Sequence, residues 1–161
     1  MANRVLVGMA DMNISKHPGM LVTLGLGSCV GICLYDPISK VAGMAHCMLP
    51  DSTVIANNSN IAKFVDTAVI RLINDMGRAG ANKKSIAAKI AGGAQMFAFS
   101  SKNDTMRIGD RNVDAAIKIL KQLGIPVKSM DVRENYGRTI EFHTADGSLT
   151  VKTVGKGIKQ I

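Results

Sequence analysis

A single α+β domain with helices packed on sheet faces is predicted, and three observations predict it. Short apolar runs rich in strand-forming residues occupy both ends of the chain. Two stretches of helical period interrupt them, and no linker, internal repeat or low-complexity tract divides the sequence. A chain of 161 residues supports one well-formed hydrophobic core and is short for two, so residues 1–161 are read as one domain.

In chain order, residues 4 to 9 form a first strand, and a polar connection runs through His17-Pro18-Gly19. A strand resumes over Leu21 to Leu24. Gly25, Gly27 and Ser28 follow, where glycine lets main-chain N–H groups approach a ligand closely. Such a turn can offer an oxyanion hole or be no more than a tight turn. Val30-Gly-Ile-Cys-Leu-Tyr35 and Val41-Ala-Gly-Met-Ala-His-Cys-Met-Leu49 are strand-like runs flanking Asp36-Pro37-Ile38-Ser39, a strong turn signal, so a β-hairpin is expected. With those four residues as its loop, Tyr35 pairs with Lys40 and Cys29 falls opposite His46, with Cβ atoms about 4.5–5.5 Å apart. A slip of one residue would put the two on different faces.

Residues 51 to 60 are polar and turn-forming, and are read as a loop. Ile61, Phe64, Val65, Ala68, Val69, Leu72, Ile73 and Met76 then follow helical spacing, with Ser59 or Asn60 as N-cap and Gly77 as the stop. A strand over Ile86 to Ala91 ends at Gly92-Gly93-Ala94-Gln95-Met96-Phe97, and Met96, Phe97 and Phe99 crowd a loop with apolar surface. A second helix starts near Asp110, turns Val113, Ala116, Ile117, Leu120 and Leu123 inward, and stops at Gly124 before Pro126. Strands over Val127 to Val132, Thr139 to His143 and Leu149 to Val154 close the chain, the last two joined through an Asp146-Gly147 turn.

Composition narrows the function. The net charge of +8 arises from dispersed Lys and Arg, which favours acidic partners. The scarcity of aromatic residues and the absence of Trp argue against a stacking surface for single-stranded nucleic acid, and no nucleic-acid recognition motif is present. No signal peptide and no apolar run near the ~20 residues of a membrane span are found, so a cytoplasmic protein without membrane insertion is expected. Cysteines at 29, 33 and 47 are odd in number and lie in apolar runs, which fits reduced thiols. No cofactor is called for, and no metal is expected because a fourth ligand is missing near His46.

Cys33 and Cys47 read as small buried hydrophobes. Cys29 differs, since it sits where the glycine turn meets the strand, and a thiol nucleophile needs a base such as His46. A third group should accept a hydrogen bond from the other imidazole nitrogen. Thr23, Ser28 and Asp51 are all candidates. His17 and His143 read as structural or surface residues.

The motifs themselves carry a resemblance. Thr23-Leu-Gly-Leu-Gly-Ser-Cys-Val30, Ala45-His46-x-Met-Leu-Pro-Asp-Ser52, Asp66-Thr67-Ala68, Lys89-Ile-Ala-Gly-Gly-Ala-Gln-Met-Phe97, Ile108-Gly-x-Arg-Asn112 and Gly137-Arg138 occur in one order along nearly the whole chain. This set closely resembles the CheD family, chemoreceptor glutamine deamidases of bacterial chemotaxis. The resemblance implies a layered α/β sandwich with mainly antiparallel sheets, akin to Cys-His toxin deamidases. It implies Cys29 as nucleophile, His46 as general base and acid, and Thr23 as the orienting residue. It further implies chemoreceptor cytoplasmic helices as substrate and a CheC-type phosphatase as partner, with Gly92, Gly93, Met96 and Phe97 as the expected contact. The Gly27-Ser28 turn is expected to supply oxyanion donors.

Overall fold

Alternation of apolar residues builds two sheets, and two amphipathic helices cover one of them. The structure, a computed structural model, describes residues 3–96 and 107–161. Its strands are β1 (Asn3–Leu6), β2 (Asp11–Lys16), β3 (Gly19–Leu26), β4 (Val30–Asp36), β5 (Val41–Cys47), β6 (Ala87–Gly92), β7 (Val127–Val132), β8 (Arg138–His143), β9 (Leu149–Thr153) and β10 (Gly157–Gln160). The helices are α1 (Val65–Arg78) and α2 (Ile108–Gln122). One five-stranded sheet has the order β1-β3-β8-β9-β10 and the other β2-β5-β4-β6-β7. Among the described strands, the β1–β3 and β6–β7 pairs are parallel and the other ladders antiparallel. The result is an α+β layered sandwich, as the sequence predicts.

Strand residues of the second sheet divide cleanly between two cores. Val30, Ile32, Leu34, Val41, Ala45 and Cys47 face the helices, where Val65, Ala68, Val69, Leu72, Met76, Val113, Ala116 and Leu120 meet them. Cys33, Tyr35, Ala42 and Met44, together with Cys29 just before β4, face the first sheet, against Leu21, Ile140, Phe142 and Val151. Each fully buried Leu, Ile, Val or Phe here contributes about 1.5–3 kcal/mol. The scaffold is therefore much stronger than any single polar contact in the site.

Several expectations are corrected. The supposed polar connection before His17 is the strand β2, an edge strand in which only Met12 and Ile14 turn toward the helix-side core. An edge strand keeps its other residues polar against open pairing, so its signal resembles a loop. β10 escapes the sequence reading for the same reason, being an edge strand exposed at all four residues. Gly25 lies inside β3, with φ +63 at the irregularity in β3–β8 pairing between Thr23 and Leu26. Asn60 caps a 3-10 turn over Ile61–Lys63, and α1 itself starts only at Val65. Gly77 falls within α1.

The hairpin register is also corrected. Asp36 remains in β4 and pairs with Val41, so the loop is residues 37–40, one residue later than expected. Its carboxylate fixes this choice by accepting from Ile38 N (2.9 Å), Ser39 Oγ (2.9 Å) and Asn82 N (2.9 Å). Lys40, at φ +55, closes the turn by donating to Asp36 O at 2.8 Å. Moving the loop by one residue moves every pair by two, so Tyr35 faces Ala42 and His46 faces Gly31 rather than Cys29. Period two preserves the face: Cys29 is the diagonal neighbour of His46, about 7–8 Å away along the backbone.

Candidate active site

The site lies where the two sheets meet, at the end of the sandwich where β3 passes into β4. Thr23 comes from β3 in the first sheet and His46 from β5 in the second, both almost wholly buried. Gly31, opposite His46, has no side chain, and a Cβ there would press within 2.8 Å of Ile140 Cδ1. That glycine lets the sheets approach closely enough for Thr23 Oγ1 and His46 Nδ1 to stand 2.7 Å apart.

This contact fixes the imidazole tautomer. The Thr23 hydroxyl donates its one proton to Val7 O at 2.6 Å, so toward the ring it can only accept. Nδ1 therefore carries the proton and Nε2 carries the lone pair. Nε2 is buried and has no hydrogen-bond partner among the described residues. Burial holds the His46 pKa below its ordinary value, so the ring is neutral near pH 7. The strand's own carbonyl is anchored too, with Ala10 N donating to His46 O at 3.0 Å.

Of the three candidate orienters, only Thr23 touches the ring. Asp51 turns its carboxylate to Thr53 N (2.8 Å) and Thr53 Oγ1 (2.7 Å). Ser28 contributes its carbonyl to a different contact, described next.

Cys29 lies at the mouth of the inter-sheet core, 8% exposed. Burial pushes its thiol pKa up, and its own backbone N–H pulls it part of the way back. The resting site thus holds a neutral thiol and a neutral imidazole on one face of the sheet, with no hydrogen bond between them. The turn that presents Cys29 is held by three successive carbonyls: Gly27 O accepts from Ala94 N at 2.9 Å, Ser28 O from Asn112 Nδ2 at 2.9 Å, and Cys29 O from Gly93 N at 2.8 Å. Gly92 is required at its position, because it has φ +100 and a Cβ there would strike Cys29 O.

Gly92 and Gly93 are buried behind the Cys29 turn, while Met96 is 46% exposed and packs its Cγ 3.6 Å from where a Gly27 Cβ would stand. Phe97, Phe99 and the stretch 100–105 lie outside the described residues. The bonds from Asn112, Ala94 and Val7 are the parts of the site that residue-by-residue reading missed. Each spans a long sequence separation, and the one sign of them was the presence of Gly92-Gly93 and Asn112 in the shared motifs.

Cys33 and Cys47 are buried and free, as expected, and burial drives both thiols far up in pKa. They face opposite sides of their sheet. His17 Nδ1 contacts Thr144 Oγ1 at 3.2 Å and His143 Nε2 contacts Thr150 Oγ1 at 2.8 Å, both away from Cys29. Among the described residues no His, Cys, Asp and Glu side chains cluster in a way that would hold a metal ion, and no helix is long and apolar enough to cross a membrane.

Comparison with known proteins decides the family. The family model described as "CheD chemotactic sensory transduction" matches residues 48–153. The chain belongs to the CheD family. Two CheD relatives, from Lachnoclostridium phytofermentans and Caldanaerobacter subterraneus subsp. tengcongensis, are each 56% identical to it over all of both chains. A third, from Clostridium kluyveri, is 51% identical over 98% of this chain and 97% of its own. All three bear the name "Probable chemoreceptor glutamine deamidase CheD". These matches extend the CheD likeness across residues 19–47, which carry Thr23 in β3, Cys29 in the turn before β4 and His46 in β5, and which lie before the span of the family model.

Proposed function

We propose that this protein hydrolyses the side-chain amide of glutamines in chemoreceptor cytoplasmic helices to glutamate, with Cys29 as nucleophile and His46 as base and acid. The observation that carries the reading is the tautomer of His46: Thr23 spends its proton on Val7 O, which leaves a buried, unpartnered Nε2 lone pair on the face that Cys29 shares. The names of the full-length relatives supply the substrate class.

His46 Nε2 takes the thiol proton as Cys29 Sγ attacks the amide carbon, so no thiolate has to exist beforehand in a site that disfavours it. The tetrahedral oxyanion is met by the backbone N–H of Cys29 and of the Gly27-Ser28 turn. Imidazolium then gives its proton to the leaving nitrogen, which departs as ammonia and leaves a thioester. Water, deprotonated by His46, attacks the thioester carbon. Glutamate is released, and the proton returns to Cys29. Thr23 keeps Nδ1 protonated throughout and accepts from it when the ring is charged.

The substrate reaches Cys29 at the end of the sandwich, where Met96 lies exposed beside the Gly27 turn. A CheC-type phosphatase is assigned to the same rim, with Met96 as a contact and Gly92 and Gly93 acting from beneath it. The test is ammonia release and peptide mass mapping on a chemoreceptor cytoplasmic fragment. Wild type should convert glutamine to glutamate and Cys29→Ala should not; equal conversion by both would end the assignment.

A further inference from the structure

Asn112 lies at the first turns of α2 and is fully buried. Its Nδ2 donates to Ser28 O at 2.9 Å and to Met48 O at 3.0 Å. Two carbonyls can only be met by the NH2 end of the amide, so its orientation is determined by its partners. The other end, Oδ1, is buried with no partner among the described residues. Burying an unpaired acceptor is unfavourable, so the side chain earns its place through its two donors.

Those donors join the two halves of the catalytic centre. Ser28 O belongs to the peptide whose N–H is that of Cys29, and this peptide is trans, since His17-Pro18 is the cis bond of the described chain. In a trans peptide the C=O and N–H point in opposite directions from one rigid plane. Holding Ser28 O therefore aims the Cys29 N–H, the group that pulls the thiol pKa part of the way back down and stands beside the sulfur where an oxyanion would form. Met48 O lies two residues beyond His46, so the second bond sets the base's strand against the same amide.

Helix α2 is a firm base for this task. Gly109 packs directly on the backbone carbonyls of Gly93 and Ala94, whose N–H groups hold Cys29 O and Gly27 O. From the other side, Arg133 pairs with Asp110 and Asp114, each at 2.8 Å. We propose that Asn112 is a positioning residue of the deamidation centre: its carboxamide locks the Ser28–Cys29 peptide, and with it the Cys29 N–H and sulfur, in register with the strand of His46. This rests on the Cys29–His46 reading above.

The test compares wild type, Asn112→Ala, Asn112→Asp and Leu120→Ala. The last removes a core side chain of the same helix and serves as a destabilised control. Measured quantities are kcat and KM on a receptor fragment, the pH profile of iodoacetamide alkylation at Cys29 located by peptide mapping, and the melting temperature. Asn112→Ala should lower kcat on the order of tenfold to a hundredfold with KM little changed, and shift Cys29 alkylation to higher pH. The introduced carboxyl of Asn112→Asp can donate one bond only while protonated, so its activity relative to wild type should rise as pH falls.

Wild-type-like kcat and alkylation in Asn112→Ala would overturn the proposal. So would the same changes in Leu120→Ala at equal loss of melting temperature. If Asn112→Ala does not fold, the pH trend of Asn112→Asp decides, and a flat ratio overturns it. If wild type releases no ammonia, the deamidase reading has failed, and the alkylation profiles still judge Asn112.

Discussion

The two halves of the candidate site are held by different means. His46 is the penultimate residue of the regular strand β5, paired on both sides by β2 and β4, and needs one hydroxyl from the facing sheet to fix its ring. Cys29 sits on a turn without ladder partners, and three donors from two distant segments hold its three carbonyls. A strand places a base cheaply because its neighbours already specify direction, whereas a turn must be fastened peptide by peptide. The difference suits the proposed chemistry, in which a base needs a fixed tautomer and a nucleophile needs a surrounding set of aimed N–H groups.

That contrast can be broken by substitution, starting with the largest effect. Cys29→Ala should remove ammonia release entirely while leaving the fold intact, read by steady-state assay and melting. His46→Gln should lower kcat by roughly 10²–10⁴-fold, because in the proposed mechanism it removes the proton carrier but not the nucleophile. On the turn side, Gly92→Ala meets both a positive φ and the carbonyl of Cys29. It should cost roughly a hundredfold in kcat by displacing that carbonyl. On the strand side, Thr23→Val should cost on the order of tenfold to a hundredfold, and Thr23→Ser should recover most of it, since the hydroxyl alone sets the tautomer. A Thr23→Val variant with full activity would mean that the strand alone orients the ring.

The smallest effect concerns pH. Burial depresses the pKa of His46, so between its folded value and about 6.5 the unfolded chain binds the extra proton. Stability from this group is therefore complete above about pH 6.5 and is lost as pH falls toward the folded value. Denaturant titrations should show wild type losing more stability than His46→Gln on acidification. The acid limb of the activity profile should likewise fall below the ordinary histidine range.

The same contrast explains what was legible in the sequence. Helix faces and central strands follow period, so α1, α2, β4, β5 and β6 could be read directly, and the sharing of one face by Cys29 and His46 survived an error in the hairpin loop. The register itself was not legible, because Asp36 settles it with a bond to Asn82, in a segment 46 residues away. β2 and β10 were missed as polar edges. Thr23 could not be separated from Ser28 and Asp51 by spacing, since its role depends on how two sheets stack. The fastening of the Cys29 turn by Asn112 and Ala94 crosses more than 60 residues and leaves no local pattern, only the shared motifs that contain those residues.

In the proposed mechanism His46, held in one tautomer by Thr23, activates a neutral Cys29 thiol toward a glutamine amide. The most direct test of this mechanism is mass mapping of a chemoreceptor cytoplasmic fragment incubated with wild type, Cys29→Ala and Thr23→Val. Glutamine-to-glutamate conversion is expected at defined positions with wild type, slow conversion at the same positions with Thr23→Val, and none with Cys29→Ala. Conversion by Cys29→Ala at the wild-type rate would contradict the mechanism.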